Sequence, residues 1–156
     1  VCNLRPESRG EVSIKSSDPK DLPKIVPNYL STESDRQLAI ESIKVARKIA
    51  KAKSIKNHIL DEFVPGYSFT SDEDLLEVAK NHSQSIYHPV GTCKMGHDKD
   101  SVVDDRLRVH GVKNLRVVDA SIMPELVSGN TNAPTMMIAE KAADMILNNN
   151  HSSLTK

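Results

Sequence analysis

The chain has 156 residues, with 21 basic and 21 acidic side chains, three tyrosines, two phenylalanines and no tryptophan. That length suits one domain with a core of its own, and the even charge, with no basic run beside stacking aromatics, argues against nucleic acid or an anionic membrane as partner. No apolar run reaches the length of a transmembrane segment, and two distant cysteines, Cys2 and Cys93, could form one disulfide but no framework, so the compartment stays open.

The chain opens at Val1-Cys2-Asn3-Leu4 without the basic start and apolar stretch of a signal peptide. It is patterned like folded protein from the first residue, so we expect a portion of a longer polypeptide or a truncated product. Residues 10–15, Gly-Glu-Val-Ser-Ile-Lys, alternate polar and apolar as a half-buried antiparallel strand does. Ser17-Asp18-Pro19 then reads as a turn, and Pro27-Asn28-Tyr29-Leu30 as the loop into the first long helix.

Ser34 is placed to cap that helix, with Gln37 as its capping-box partner. Leu38, Ile40, Ile43, Ala46, Ile49 and Ala50 recur at near-helical spacing, with charged residues mostly elsewhere. The amphipathic pattern suits a surface helix over a sheet, or a face for a partner. Pro65-Gly66 marks a turn, and Ser71-Asp72-Glu73-Asp74 opens a second helix through Leu75, Leu76, Val78 and Ala79. The helix dipole accounts for the acids of that first turn without a bound cation.

Residues 102–104 and 107–109 are short strand-like pieces, and Leu115-Arg116-Val117-Val118-Asp119 has the β-branched density of a buried strand ending in an acid. Residues 134–147 form a helix lined by Met136, Met137, Ala139, Ala143, Met145 and Ile146. The polar residues from 148 on read as a frayed tail.

The chemistry concentrates near the C-terminal end. His88 has the side chain best matched to proton transfer near neutral pH. It stands in Tyr87-His88-Pro89-Val90-Gly91-Thr92-Cys93-Lys94-Met95-Gly96, where Pro89 restricts the backbone and Gly91 and Gly96 permit close approach to a ligand. A structural histidine, a Cys93/His88 nucleophile pair, and a metal site from His88, Cys93 and His97 are the competing readings. A phosphate loop fails, because His97-Asp98 stand where Lys and Ser/Thr are required. Asp119, at a strand end before Ala120 and Ser121, has the position of a cofactor contact in open α/β sheets, or of a turn former. Asn130 and Asn132 lie in the loop before the last helix. Their amides could orient a hydroxyl, and the helix start offers free N–H groups, although capping alone would also explain them.

In combination these segments resemble the C-terminal part of the glucose–methanol–choline (GMC) oxidoreductases. The likeness rests on residues 88–96, Val103-Asp104, Leu107-Arg108-Val109-His110-Gly111-Val112, residues 115–121, Met123-Pro124 and Gly129-Asn130-Thr131-Asn132-Ala133-Pro134-Thr135 running into residues 138–144. Weaker likeness extends upstream to Arg9-Gly10, and the wording is closest to glucose-dehydrogenase-like and choline-dehydrogenase-like members. The resemblance implies an α+β fold: residues 1–111 as part of a substrate-binding domain, an antiparallel sheet backed by helices, and residues 112–147 as a strand and helix returning to the FAD-binding domain. It implies oxidation of a CH–OH donor by hydride transfer to FAD. His88 would be the base and Asn130 its partner, with Asp119, Ala120, Asn132, Ala133 and Pro134 as flavin contacts and no metal. The electron acceptor stays open among oxygen, a quinone and a dye-like acceptor, and the alcohol substrate is not defined. The family's Gly-x-Gly-x-x-Gly does not occur in this chain, so a full FAD site needs residues outside it. The isolated chain is then expected to be inactive. The alternative is a non-catalytic remnant of the family serving as a binding module.

Overall fold

The computed structural model describes residues 1–151, with side chains described through Asn148. It has the expected α+β content, a two-stranded antiparallel sheet and three helices. The chain divides into two compact units, Val1–Ser85 and Ile86–Lys156.

In the first unit, strand β1 (Glu11–Ser13) pairs with β2 (Lys24–Val26), Val12 lying opposite Ile25. The alternation at residues 10–15 marks β1 correctly, but Val12 and Ile14 are exposed, not half-buried. Gly10 is dictated by proximity: a β-carbon there would lie 2.2 Å from the Val26 carbonyl oxygen.

Helix α1 (Glu33–Ala50) begins two residues earlier than expected. Thr32, not Ser34, is its N-cap, its hydroxyl accepting from the Asp35 amide. Asp35 holds the position of a capping-box acid but turns its carboxylate to the upstream chain. It accepts from Asn3 Nδ2 and from the amides of Glu7 and Ser8 at 2.7–3.0 Å. Helix α2 (Asp72–His82) is capped by Ser71 as expected and packs on α1. Ile40, Leu75, Val78 and Ala79 are the buried apolar residues of this unit. With so small a core, polar braces must carry much of the remaining order. The main one is Arg47 of α1, which binds the Glu62 carboxylate in a forked pair and donates to the carbonyls of Gly66 and Phe69. It fixes a connection that has no periodic pattern of its own.

The second unit is built mostly of extended and turning segments. Val103, Leu107, Ile122, Met123, Ile138 and Ala142 form its buried core, with Val90, Met95, Val117 and Val118 packed against it. Residues 102–104, 107–109 and 115–119 make isolated bridges, Val103 with Met95 and Val109 and Arg108 with Arg116, in place of strands. The expected buried strand at 115–119 thus has one antiparallel bridge and no parallel neighbour among the described residues, and Asp119 is exposed. Helix α3 (Asn132–His151) starts two residues earlier and ends later than 134–147. Ile138 and Ala142, one turn apart, are its buried residues among those described, whereas Met136 and Met137 are exposed. The rest of the expected tail, 152–156, lies outside the described residues. No helix among them is long and apolar enough to cross a membrane.

Candidate active site

All seven residues expected at the site lie in the second unit. His88 is half-buried between Tyr87, whose φ is +58°, and Pro89. The chain then turns through Gly91 at φ +86°, where a β-carbon would approach the Met123 carbonyl oxygen to 3.2 Å. Beyond it the Cys93 amide donates to Ser121 O at 3.0 Å and the Met95 amide to Ile122 O at 2.8 Å. The histidine loop is therefore fastened, backbone to backbone, along residues 121–123, with Val90 and Met95 anchored in the core.

A second set of bonds closes the far side of this loop. Asp98 accepts from the Ser101 hydroxyl, from Lys94 and from the Asp100 amide. The Ser101 hydroxyl first, then Lys94, brings its carboxyl down to about 2. His110 Nε2 lies 2.9 Å from Gly96 O, so that nitrogen carries the proton. Gly96 allows close approach, but to the chain itself: a β-carbon would lie 2.5 Å from Ser101 Oγ.

Asp119 caps the 3-10 turn Ala120–Ile122, its Oδ1 accepting from the Ser121 amide at 2.7 Å. The turn-forming role is thus real. It leaves the second carboxylate oxygen without a partner among the described residues, able to accept from a ligand hydroxyl. Ala120 is half-buried and packs on the core. The turn also contacts α3.

At the start of α3 the Thr131 carbonyl accepts both the Thr135 amide and its hydroxyl. The amides of Asn132 and Ala133 precede any intrahelical acceptor, and Pro134, third in the helix, has none to satisfy. Asn132 and Ala133 are exposed and Pro134 is half-buried. These two amides, without an acceptor among the described residues, stand at the positive end of a 20-residue helix and suit an electron-rich ring or an anion. Asn130 is exposed in the loop just ahead.

One core thus gathers the histidine loop, the Asp119 turn and the start of α3. No hydrogen bond joins His88 to Asn130 or Asp119 among the described residues. The parts that the sequence did not mark are the anchoring carbonyls of Ser121 and Ile122 and the close approach of Met123 O to Gly91. Backbone acceptors have no residue signature; the glycine opposite Met123 was the one available signal. The cysteines of the metal, nucleophile and disulfide readings are free thiols.

Residues 6–139 match the family model described as GMC oxidoreductase. The alcohol dehydrogenase [acceptor] of Pseudomonas putida is 52% identical over 147 residues, 94% of this chain and 27% of that protein. The oxygen-dependent choline dehydrogenase of Escherichia coli K12 is 49% identical over 146 residues, 94% and 26% of the two chains. Among solved structures, an FAD-dependent oxidoreductase from Chaetomium thermophilum superposes with a TM-score of 0.89 at 32% identity, over 95% of this chain and 26% of that one. A fungal aryl-alcohol oxidase does so with a TM-score of 0.85 at 35% identity, over 94% and 24%. The chain spans about a quarter of the length of these relatives. By sequence and by fold, the chain belongs to the GMC oxidoreductase family.

Proposed function

We propose that this chain is the substrate-binding and catalytic C-terminal part of an FAD-dependent enzyme that oxidises the CH–OH group of an alcohol. The supporting observation is the seating of the His88 loop on residues 121–123, through Cys93 and Met95, in the core that also holds α3. Within the chain, residues 1–111 belong to the substrate-binding portion and residues 112–147 to the segment returning to the FAD-binding domain. Bound FAD supplies the acceptor for the hydride that leaves the alcohol carbon. His88 takes the hydroxyl proton, its ring restricted by the backbone between Tyr87 and Pro89. Asn130 orients the hydroxyl oxygen and donates to the charge that develops on it. The free Asp119 oxygen would accept from a cofactor hydroxyl, the Asn132 and Ala133 amides would donate to its electron-rich ring, and Ala120 and Pro134 would pack against it.

The test is His88→Ala in the FAD-loaded enzyme that contains this chain. Flavin reduction by alcohol should slow by about 10²–10⁴-fold with FAD content unchanged. Reduction at the unmodified rate would remove His88 from the reaction. The chain alone contains no Gly-x-Gly-x-x-Gly and should purify without stoichiometric flavin absorbance.

A further inference from the structure

The His110 side chain reaches the histidine loop from outside the motif that contains His88. Residues 93–96 are held along two edges. On one, the amides of Cys93 and Met95 donate to the carbonyls of Ser121 and Ile122. On the other, the Val102 amide donates to Lys94 O at 2.9 Å and the Gly96 amide to Val103 O at 3.0 Å. The bridges run from Met95 to Val103 and from Val103 to Val109, so residues 102–103 lie between the loop and the segment that carries His110. His110 donates its own amide to Val102 O at 3.0 Å and its ring Nε2–H to Gly96 O at 2.9 Å. One residue therefore spans the intervening segment and pins the downstream end of the loop.

This tie differs in kind from the bonds around it. Asp98 bonds Lys94, Asp100 and Ser101, all close in sequence, and so orders its own turn. His110 stands 14 residues from Gly96 and ties the loop to a separate segment. Its imidazole also donates at Nε2 both in this neutral tautomer and in the cation, so protonation leaves the bond in place. We propose that His110 is a positioning residue: it holds residues 93–96 in the register that places His88, and it affects the reaction only through His88. The inference rests on the base role proposed for His88. A displacement of about 1 Å at a reacting group costs about 10²-fold in rate. His110 is exposed and the main-chain bonds remain when its ring is removed, so the loss should be smaller, about 5–20-fold.

The experiment measures flavin reduction by alcohol, per bound FAD, in the FAD-loaded enzyme that contains this chain. His110→Phe keeps a ring and removes the donor. It should lower the limiting reduction rate about 5–20-fold, with the half-saturating alcohol concentration within about twofold of the original. His110→Ala, a second way to remove the donor, should do the same. His110→Gln, whose amide can donate to Gly96 O, should recover to within about threefold of the original rate. In the His88→Ala background, His110→Phe should change the rate by less than about twofold, because its effect passes through His88. A histidine that only supports the fold would lower the unfolding midpoint and leave the rate per bound FAD unchanged. Unchanged rates in both donor-less variants, beside a slowed His88→Ala, overturn the positioning role and leave the base standing. Full activity in His88→Ala overturns the base and this inference with it. Equal rates for the glutamine and phenylalanine variants, or a further loss on top of His88→Ala, also overturn the positioning role.

Discussion

The Cys93 amide donates to the Ser121 carbonyl at 3.0 Å, and two residues on either side Gly91 and Met95 meet Met123 and Ile122. The candidate base is thus positioned by main-chain bonds to a turn capped by Asp119. Gly91 is the position at which this register is most easily broken. At φ +86° an L-residue is strained, and its β-carbon would lie 3.2 Å from Met123 O. Gly91→Ala should cost about 1–2 kcal/mol in urea unfolding. In the FAD-loaded enzyme it should also slow flavin reduction, through displacement of His88. Unchanged stability together with unchanged reduction would show that the loop does not depend on this contact.

Asn130 is exposed and has no hydrogen bond among the described residues, so its replacement separates chemistry from folding. Asn130→Ala should leave the unfolding midpoint within about 0.5 kcal/mol of the original and lower flavin reduction by about 10²-fold or more. Asn130→His, which keeps a donor, should retain more activity than the alanine variant. Equal rates for the two would show that no donor is needed at this position.

What the sequence makes legible here is whatever one residue type can signal by itself. Ser71 before three acids gave the start of α2, and residues 10–15 gave β1. Its partner, residues 24–26, lies between Pro23 and Pro27 and is too short to carry a period. At α1, Ser34 and Gln37 satisfy the capping-box pattern as well as Thr32 does, but the tertiary bonds of Asp35 fix the start two residues earlier. Residues 115–119 have strand composition, yet a strand needs a neighbour, and a single bridge to Arg108 is what they find. The candidate site was legible as motifs through the family resemblance. Its assembly was not, because carbonyls of Ser121 and Ile122 do the joining.

The brace between α1 and the following loop carries its own prediction. Arg47 and Glu62 side chains are 16% and 14% exposed, and the carboxylate beside it raises the Arg47 pKa by direct hydrogen bonding. Arg47→Met removes the donor to Glu62, Gly66 O and Phe69 O at once and should cost about 1–3 kcal/mol. The pair Arg47→Met/Glu62→Gln should recover part of that loss, since no uncompensated carboxylate is then left half-buried. A strictly additive cycle in denaturant unfolding would show that the two side chains are not coupled.

Asp35 makes the stability of the first unit depend on acid. Burial by itself pushes this carboxyl up, but the Ser8 hydroxyl, the Glu7 and Ser8 amides and the Thr32 hydroxyl more than offset it, and the net shift is downward. The unfolded chain therefore binds the proton more readily than the folded one. The stabilisation is fully present above the ordinary carboxyl pKa near 4 and fades as pH falls toward the lower folded value. Asp35→Asn keeps the shape but presents an amide where several donors converge. It should cost about 1.5–3 kcal/mol at pH 7. It should also flatten the fall in stability below about pH 4. Urea unfolding across pH 2.5–7, a range of about four units around that pKa, compares the two proteins. An acid limb of equal slope in both would assign the pH dependence to other carboxylates, Asp98 and Asp104 foremost, both held at about 2.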